Sequence, residues 1–224
     1  MVKELSGREL AGFVKERQAH LVRSLRGRKI TPKLLILRDS DNPVITKYVE
    51  LKKRYGEDIG VVVEDFVAGN IDELKNKITE AGSDETISGM IVQLPLANAD
   101  KDVTDDVVKL IKPEKDVDGL SGQGKFDSAT ATAINWLLAG YDIDLENKTI
   151  ALVGRGRLVG APLYKILTSS GHQVELFHRG SNLKDLRNFD IIITATGVPR
   201  LIKSEFIKPG AVVVDAGAAS EKVH

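Results

Sequence analysis

Leu152-Val-Gly-Arg-Gly-Arg-Leu-Val-Gly-Ala-Pro162 is the stretch on which the reading of this chain turns. An apolar run, Ile150 to Val153, ends at Gly154. Gly156 and Gly160 follow, and then an apolar-periodic segment, Leu163 to Leu167. Strand, glycine turn and helix is the order that a dinucleotide site requires. Glycines let the backbone turn sharply and approach a pyrophosphate, and the start of the helix offers unpaired N–H groups with a partial positive charge. Glycine spacing alone also serves any tight strand-to-helix turn, so the weight falls on what surrounds it.

Around this stretch the pattern predicts a strand at 149–153, a helix at 160–170, a strand at 173–177, a helix at 183–187 and strands at 190–195 and 211–215. Short apolar strands this closely spaced fit a doubly wound parallel sheet. The second strand, Gln173-Val-Glu-Leu-Phe177, runs into His178-Arg179. Proteins that prefer NAD place an acid at the end of this strand for the ribose hydroxyls. Glu175 lies too early for that. Arg179 is better placed, and a guanidinium there pairs with a 2′-phosphate. Arg155 would add a second positive charge. This favours NADP over NAD; the bland alternative is a pair of solvated surface arginines. Asp190 to Gly197 and Val212 to Gly217 end in small residues. Such ends leave room for a flat ring beside the sheet, or simply pack a tight strand-to-loop turn.

The first half reads as a helix over 7–25, a strand at 33–38, a helix from 44 to 55 with Gly56 near its end, and a strand at 61–63. A helix over 71–81 stopped by Gly82, a strand at 89–95 and a helix over 103–111 follow. Alternating strands and helices predict a parallel sheet with helical crossovers. Residues 112–125, rich in Asp, Gly, Pro and Lys, predict a loop, and 128–139 a helix bridging two domains. The expected fold class is α/β: an N-terminal domain over 1–127 and a Rossmann-like domain over 128–224.

Tyr48 and Lys52 are four apart and share a helix face. A lysine whose pKa is lowered by burial handles protons, and a tyrosine offers a flat face. Lys52 also sits in a Lys-Lys-Arg run, and most such runs are solvated. Tyr-x-x-x-Lys is the catalytic pair of short-chain dehydrogenases too, but there the glycine turn comes first. Gln93 closes a strand in Gln93-Leu-Pro-Leu96, where open α/β sheets bind ligands; equally, it caps the strand end. Lys115-Asp-Val-Asp-Gly119 is a loop with two carboxylates, readable as an Asx-type turn. Two aspartates with no nearby histidine do not fill a metal's coordination shell, so no metal is expected.

At 224 residues the chain has room for two modest cores. Its 32 Lys and Arg balance 32 Asp and Glu, so there is no net charge to attract nucleic acid or acidic lipid. There are no cysteines, which excludes disulfides and thiolate chemistry and fits a reducing cytoplasm. No apolar run approaches the roughly 20 residues of a membrane span. The N-terminus, Met1-Val-Lys-Glu-Leu, lacks a signal peptide's apolar core.

Together these residues resemble the bifunctional methylenetetrahydrofolate dehydrogenase/methenyltetrahydrofolate cyclohydrolase family. The matching motifs are Tyr48-Val-x-x-Lys52, Val92-Gln-Leu-Pro-Leu96, Lys115-Asp-Val-Asp-Gly119, Val153-Gly-Arg155 with Val159-Gly-x-Pro162, and Lys208-Pro-Gly-Ala-Val-Val-Val-Asp215. They lie in order across nearly the whole chain. The resemblance implies a two-domain enzyme with tetrahydrofolate derivatives bound between the domains. A hydride passes to NADP, and water then opens the methenyl bridge. By resemblance Lys52 handles the proton of the hydrolytic step, and Gln93 hydrogen-bonds it. Tyr48 stacks on the folate, Asp118 binds the pterin, and Leu94 and Pro95 line the same site. Thr130, Gly154, Arg155, Gly156, Gly160, Arg179 and Ala218 fall at cofactor-binding positions. A cytoplasmic homodimer is also implied.

Several positions depart from the family pattern. Ile45 stands where serine is usual, Ser128-Ala-Thr-Ala131 replaces Pro-Cys-Thr-Pro, Gly156 replaces a serine, and Asp215-Ala-Gly-Ala-Ala219 replaces Asp-Val-Gly-Ile-Asn. Family members continue past residue 224, with a stretch that lines the folate site. The expectation is therefore either a fragment or a divergent member, one in which the nucleotide site should survive and the folate site is open to being incomplete. Two rival readings are a degenerate, non-catalytic relative that binds nucleotide or a partner, and a shikimate-dehydrogenase-like reductase. The latter leaves Gln93-Leu-Pro-Leu and Lys115-Asp-Val-Asp-Gly without a role.

Overall fold

Strand β1 (Lys33–Arg38) is the middle of a three-stranded parallel sheet, between β2 (Val62–Val67) and β3 (Gly89–Val92). The computed structural model describes residues 3–97 and 99–216. The chain divides into two compact units, Met1–Phe126 and Asp127–His224, and this sheet belongs to the first. A strand covered on both faces must be apolar throughout, and Leu35, Ile36 and Leu37 are all buried. Ile36 packs with Ile45 and Val49 of α2 (Pro43–Ile59). Leu35 and Leu37 join Leu74 and Ile78 of α3 (Ile71–Ser83) and Val107 and Val108 of α4 (Lys101–Lys109). Burying each of these side chains contributes about 1.5–3 kcal/mol. Helix α1 (Gly7–Gly27) lies along α2, where the Tyr55 hydroxyl donates to Gln18 Oε1 at 2.6 Å.

Gly56 is not the end of α2. The helix runs on to Ile59 and stops at Gly60, whose φ of 85° is the left-handed conformation that closes helices. A Cβ on Gly56 would lie 2.3 Å from Val63 Cγ2, so this glycine lets the helix press onto β2. Gly82 likewise lies within α3.

The second unit holds α5 (Ala129–Gly140), β4 (Ile150–Val153), α6 (Gly160–Ser169), β5 (Val174–Phe177), β6 (Ile191–Thr194) and β7 (Val212–Asp215). Its strands run in parallel in the order β5-β4-β6-β7. The chain moves from β4 out to β5 and then crosses back to β6. That makes β4 and β6 the switch point, where doubly wound sheets bind ligands beyond the strands' carboxyl ends. Leu152, Ile191 and Ile193 pack with Leu163 and Leu167 of α6 and Ile134 and Leu138 of α5; Ala151, Val153 and Ile192 face Phe177, Leu186 and Phe206. The helix expected at 183–187 is a 3₁₀-helix, Leu183–Asn188. Its inward residues, Leu183 and Leu186, are three apart, which matches the 3₁₀ repeat. Ala218 lies outside the described residues.

Candidate active site

Lys52, on α2, donates from Nζ to Oε1 of Gln93 at 2.5 Å. Gln93 follows the last residue of β3. Its backbone N–H donates to the Leu37 carbonyl, continuing the sheet (2.8 Å), and its Nε2 donates to the Leu94 carbonyl at 3.0 Å. Both functional groups of the glutamine are thereby engaged, and the side chain is held with its oxygen toward the amine. Asp118 completes the cluster. Burial pushes the Lys52 amine below its ordinary pKa, and the Asp118 charge only partly opposes this. Burial pushes Asp118 upward; Lys52 pulls it back and Asp116 pushes it further up. Desolvation favours the neutral form of each partner.

Asp118 is delivered by a loop with its own internal frame. Lys115 donates to the carbonyls of Ala81 (2.9 Å) and Asp84 (2.6 Å), closing the carboxyl end of α3. Asp116 is fully buried and accepts from the N–H groups of Gly119 and Ser121 at 2.9 Å and from the Ser121 hydroxyl. Val117 packs against Gly89, where a Cβ would come within 2.6 Å of it. The two carboxylates therefore do different work: Asp116 builds the turn, and Asp118 lies near enough for its charge to act on the Lys52 amine. Tyr48 lies one turn before Lys52 and is 47% exposed, with its ring open to a ligand. Leu94 packs on the core, and Pro95 is exposed. Ile45 is buried in the α2–β1 contact, so the position that departs from the family pattern is spent on packing.

In the second unit the glycines of the turn separate by role. Gly154 has a φ of 99°, and a Cβ there would meet Thr196 Cγ2 at 2.9 Å. At Gly160 a Cβ would lie 2.2 Å from the Gly154 carbonyl oxygen, so α6 starts in contact with the turn only because the side chain is absent. Gly156 has no atom within 4 Å of such a Cβ; neither conformation nor packing requires glycine there. A cavity of about 460 Å³ opens over this turn. Gly154, Arg155 and Gly156 form one side, His178, Arg179, Gly180 and Ser181 another, and Ala195, Thr196, Val198 and Leu201 a third, with Val153, Phe177 and Leu183 completing the lining. His178 and Ser181 fix the loop after β5: the Ser181 N–H donates to the His178 carbonyl at 2.9 Å and the His178 N–H to Ser181 Oγ at 3.0 Å. Glycine turn, helix start and two exposed arginines fit a phosphorylated dinucleotide.

The structure thus brings Lys52, Gln93 and Asp118 together, and it sets Gly154, Arg155, Gly156 and Arg179 around one cavity. Gly160 lies beneath the turn. Thr130 is exposed in the first turn of α5 and does not line the cavity. The neighbouring Ser128 is buried, with its hydroxyl donating to the Leu158 carbonyl at 2.7 Å, so the altered segment ties α5 to the glycine loop. Ser181, Thr196, Val198 and Leu201 line the cavity without a motif to mark them; in the sequence only the small-residue ending of the 190–197 strand points to part of this wall.

Residues 5–118 match the family model for the tetrahydrofolate dehydrogenase/cyclohydrolase catalytic domain, and residues 128–223 match its NAD(P)-binding domain. The bifunctional protein FolD of Lactobacillus delbrueckii subsp. bulgaricus is 36% identical over 230 residues, which cover 95% of this chain and 80% of that protein. The crystal structure of the bifunctional FolD methylenetetrahydrofolate dehydrogenase/cyclohydrolase of Campylobacter jejuni superposes with a TM-score of 0.87 at 30% identity, over 95% of this chain and 80% of that one. The Trypanosoma brucei FolD structure, complexed with NADP cofactor and inhibitor, gives a TM-score of 0.86 at 26% identity, over 95% of this chain and 77% of that one. These matches span nearly the whole sequence, and the chain belongs to the tetrahydrofolate dehydrogenase/cyclohydrolase family.

Proposed function

We propose that this chain is a bifunctional enzyme of one-carbon folate metabolism. It oxidises 5,10-methylenetetrahydrofolate with NADP and hydrolyses 5,10-methenyltetrahydrofolate to 10-formyltetrahydrofolate. The observation that carries the reading is the partly buried Lys52 amine, hydrogen-bonded to Gln93 and within reach of the Asp118 charge. The methenyl carbon is already cationic, so a neutral amine is the useful form, and burial favours it. Lys52 takes a proton from water as its oxygen bonds to the methenyl carbon. It then returns that proton to N5 as the bond from carbon to N5 breaks. The carbinol proton leaves to solvent, the formyl group stays on N10, and one proton is released overall. Gln93 Oε1 holds the amine in line through an N–H it accepts. Asp118 binds the pterin, Tyr48 stacks on the folate, and Leu94 and Pro95 shape the site edge.

Gly154, Arg155, Gly156 and Arg179 hold the dinucleotide, Arg179 against the 2′-phosphate; Gly160 lets the helix close up under the turn, Ala218 is a further contributor, and Thr130, away from this cavity, is left out of the set. NADP, when bound, supplies the hydride acceptor. No helix among the described residues is long and apolar enough to cross a membrane; we place the protein in the cytoplasm, as a homodimer formed through the second unit.

The test is to supply the purified protein with methylenetetrahydrofolate and NADP and follow NADPH and 10-formyltetrahydrofolate together. Both products form under this reading. Tight NADP binding without either product would favour a non-catalytic relative.

A further inference from the structure

Arg38 is a charged residue at the end of an otherwise apolar strand, and its side chain is only 7% exposed. Every guanidinium nitrogen is used. Nε and Nη2 donate to the two Asp65 oxygens at 3.0 Å each, the two-pronged geometry that an arginine fork matches. Nη1 donates to the Ser40 carbonyl (2.7 Å), Asp41 Oδ1 (3.0 Å) and Thr46 Oγ1 (3.3 Å). Asp65, 10% exposed, also meets Lys53 Nζ at 3.3 Å, and Lys53 pairs with Glu50 at 3.1 Å. A buried cluster of charges adds little net stability compared with apolar residues of the same volume. What this one does is fix direction.

The cluster holds each piece that aims Lys52 at Gln93. It grips α2 in its first turn, at Thr46, and again at Lys53, the residue beside Lys52. Successive helical residues point about 100° apart, so pinning Lys53 to β2 sets the rotation at which Lys52 leaves the helix. The residues flanking Arg38 hold the other partner. Leu37 accepts the Gln93 N–H at 2.8 Å, and both Asp39 oxygens accept the Ala97 N–H at 3.0 Å. Donor and acceptor are thus referred to one short segment, residues 37–42.

We propose that Arg38, Asp65 and Lys53 are positioning residues that set the Lys52 amine on Gln93 and so govern the hydrolytic step. This rests on the assignment of that step to Lys52 under Proposed function. None of the three touches a reacting atom. Hydride transfer moves no proton, so the dehydrogenase step is an internal control for folding and for substrate binding.

The experiment measures both activities, and the titration of Lys52 by lysine side-chain NMR, in Asp65→Asn, Lys53→Met and Lys53→Arg. In Asp65→Asn the methenyl hydrolysis kcat falls about 10- to 100-fold, the scale of a small misplacement of a reacting group, while NADPH formation stays within about twofold. Lys53→Met, at a more exposed position, gives a smaller loss of the same kind, and Lys53→Arg restores it. In Asp65→Asn and Lys53→Met the Lys52 pKa rises toward the ordinary lysine value as the amine leaves its buried seat. Equal loss of both activities, or no change in either with an unmoved Lys52 titration, overturns the proposal. If the wild type makes neither product, the functional reading falls and the titration alone decides: a rise supports the positioning role and an unmoved value refutes it.

Discussion

Nζ of Lys52 and Oε1 of Gln93 are joined across 41 residues of sequence by a hydrogen bond from the middle of α2 to the end of β3. Neither element alone specifies the contact. The sheet register places Val92 opposite Leu37, and α2 packs on the face of β1 through Ile45 and Val49. The amine is carried to the glutamine by packing, and burial then lowers its pKa.

Replacing the lysine separates the two activities. Lys52→Met removes the proton carrier and leaves the second unit untouched, so methenyl hydrolysis falls at least about 100-fold, in the range general acid–base catalysis contributes, while NADPH formation persists. Lys52→Arg does not restore hydrolysis, because a guanidinium stays protonated. Because Lys52 must lose its proton and its pKa lies below the ordinary lysine value, the wild-type hydrolysis rate climbs with pH and levels off before that value is reached. Single-turnover hydrolysis across pH checks both statements.

The glycine turn gives a paired prediction. Gly160→Ala places a Cβ 2.2 Å from the Gly154 carbonyl oxygen, and the overpacking costs about 1–3 kcal/mol with loss of NADP binding. Gly156→Ala meets nothing within 4 Å and leaves the melting temperature unchanged. Thermal melts with and without NADP distinguish the two.

Arg179 lines the cavity over the turn and is exposed. Arg179→Ala weakens NADP binding by about 10- to 100-fold, as for loss of a charge-assisted hydrogen bond of roughly 1.5–3 kcal/mol, and leaves NAD binding nearly unaltered. Isothermal titration with both nucleotides measures the ratio.

Asp190 gives a pH-dependent stability. Hydrogen bonds from Lys208, at 2.8 Å, and from Thr149 hold its carboxyl well below the usual carboxylate range. A depressed folded-state pKa contributes stability that is present above the unfolded value and lost as pH falls toward the folded one. Asp190→Asn therefore lowers the melting temperature at neutral pH, and its difference from wild type shrinks below pH about 4, where unfolded aspartate protonates.

Much of the fold was legible because burial on both faces forces apolar strands: Lys33–Arg38, Ile150–Val153 and Ile191–Thr194 stand out as runs. Gly56 misled because a glycine that ends a helix and one that lets a helix touch a strand look alike in sequence; the difference is Val63, which packing brings under it. The division of labour between Asp116 and Asp118 was hidden for a similar reason. Their spacing shows two acids in a turn, and only the fold shows which one is buried among N–H donors. Arg38 gave a faint signal, a charge closing an apolar strand, but its partner Asp65 lies 27 residues on and is brought close only by the register of β1 and β2.

The most direct test of the account is the titration of the Lys52 amine by lysine side-chain NMR, in the wild type and in Asp118→Asn. Burial with partial opposition from Asp118 predicts a wild-type pKa below that of an ordinary lysine, and a lower one still when the carboxylate is removed. A Lys52 that titrates like a solvated lysine in both proteins would contradict it.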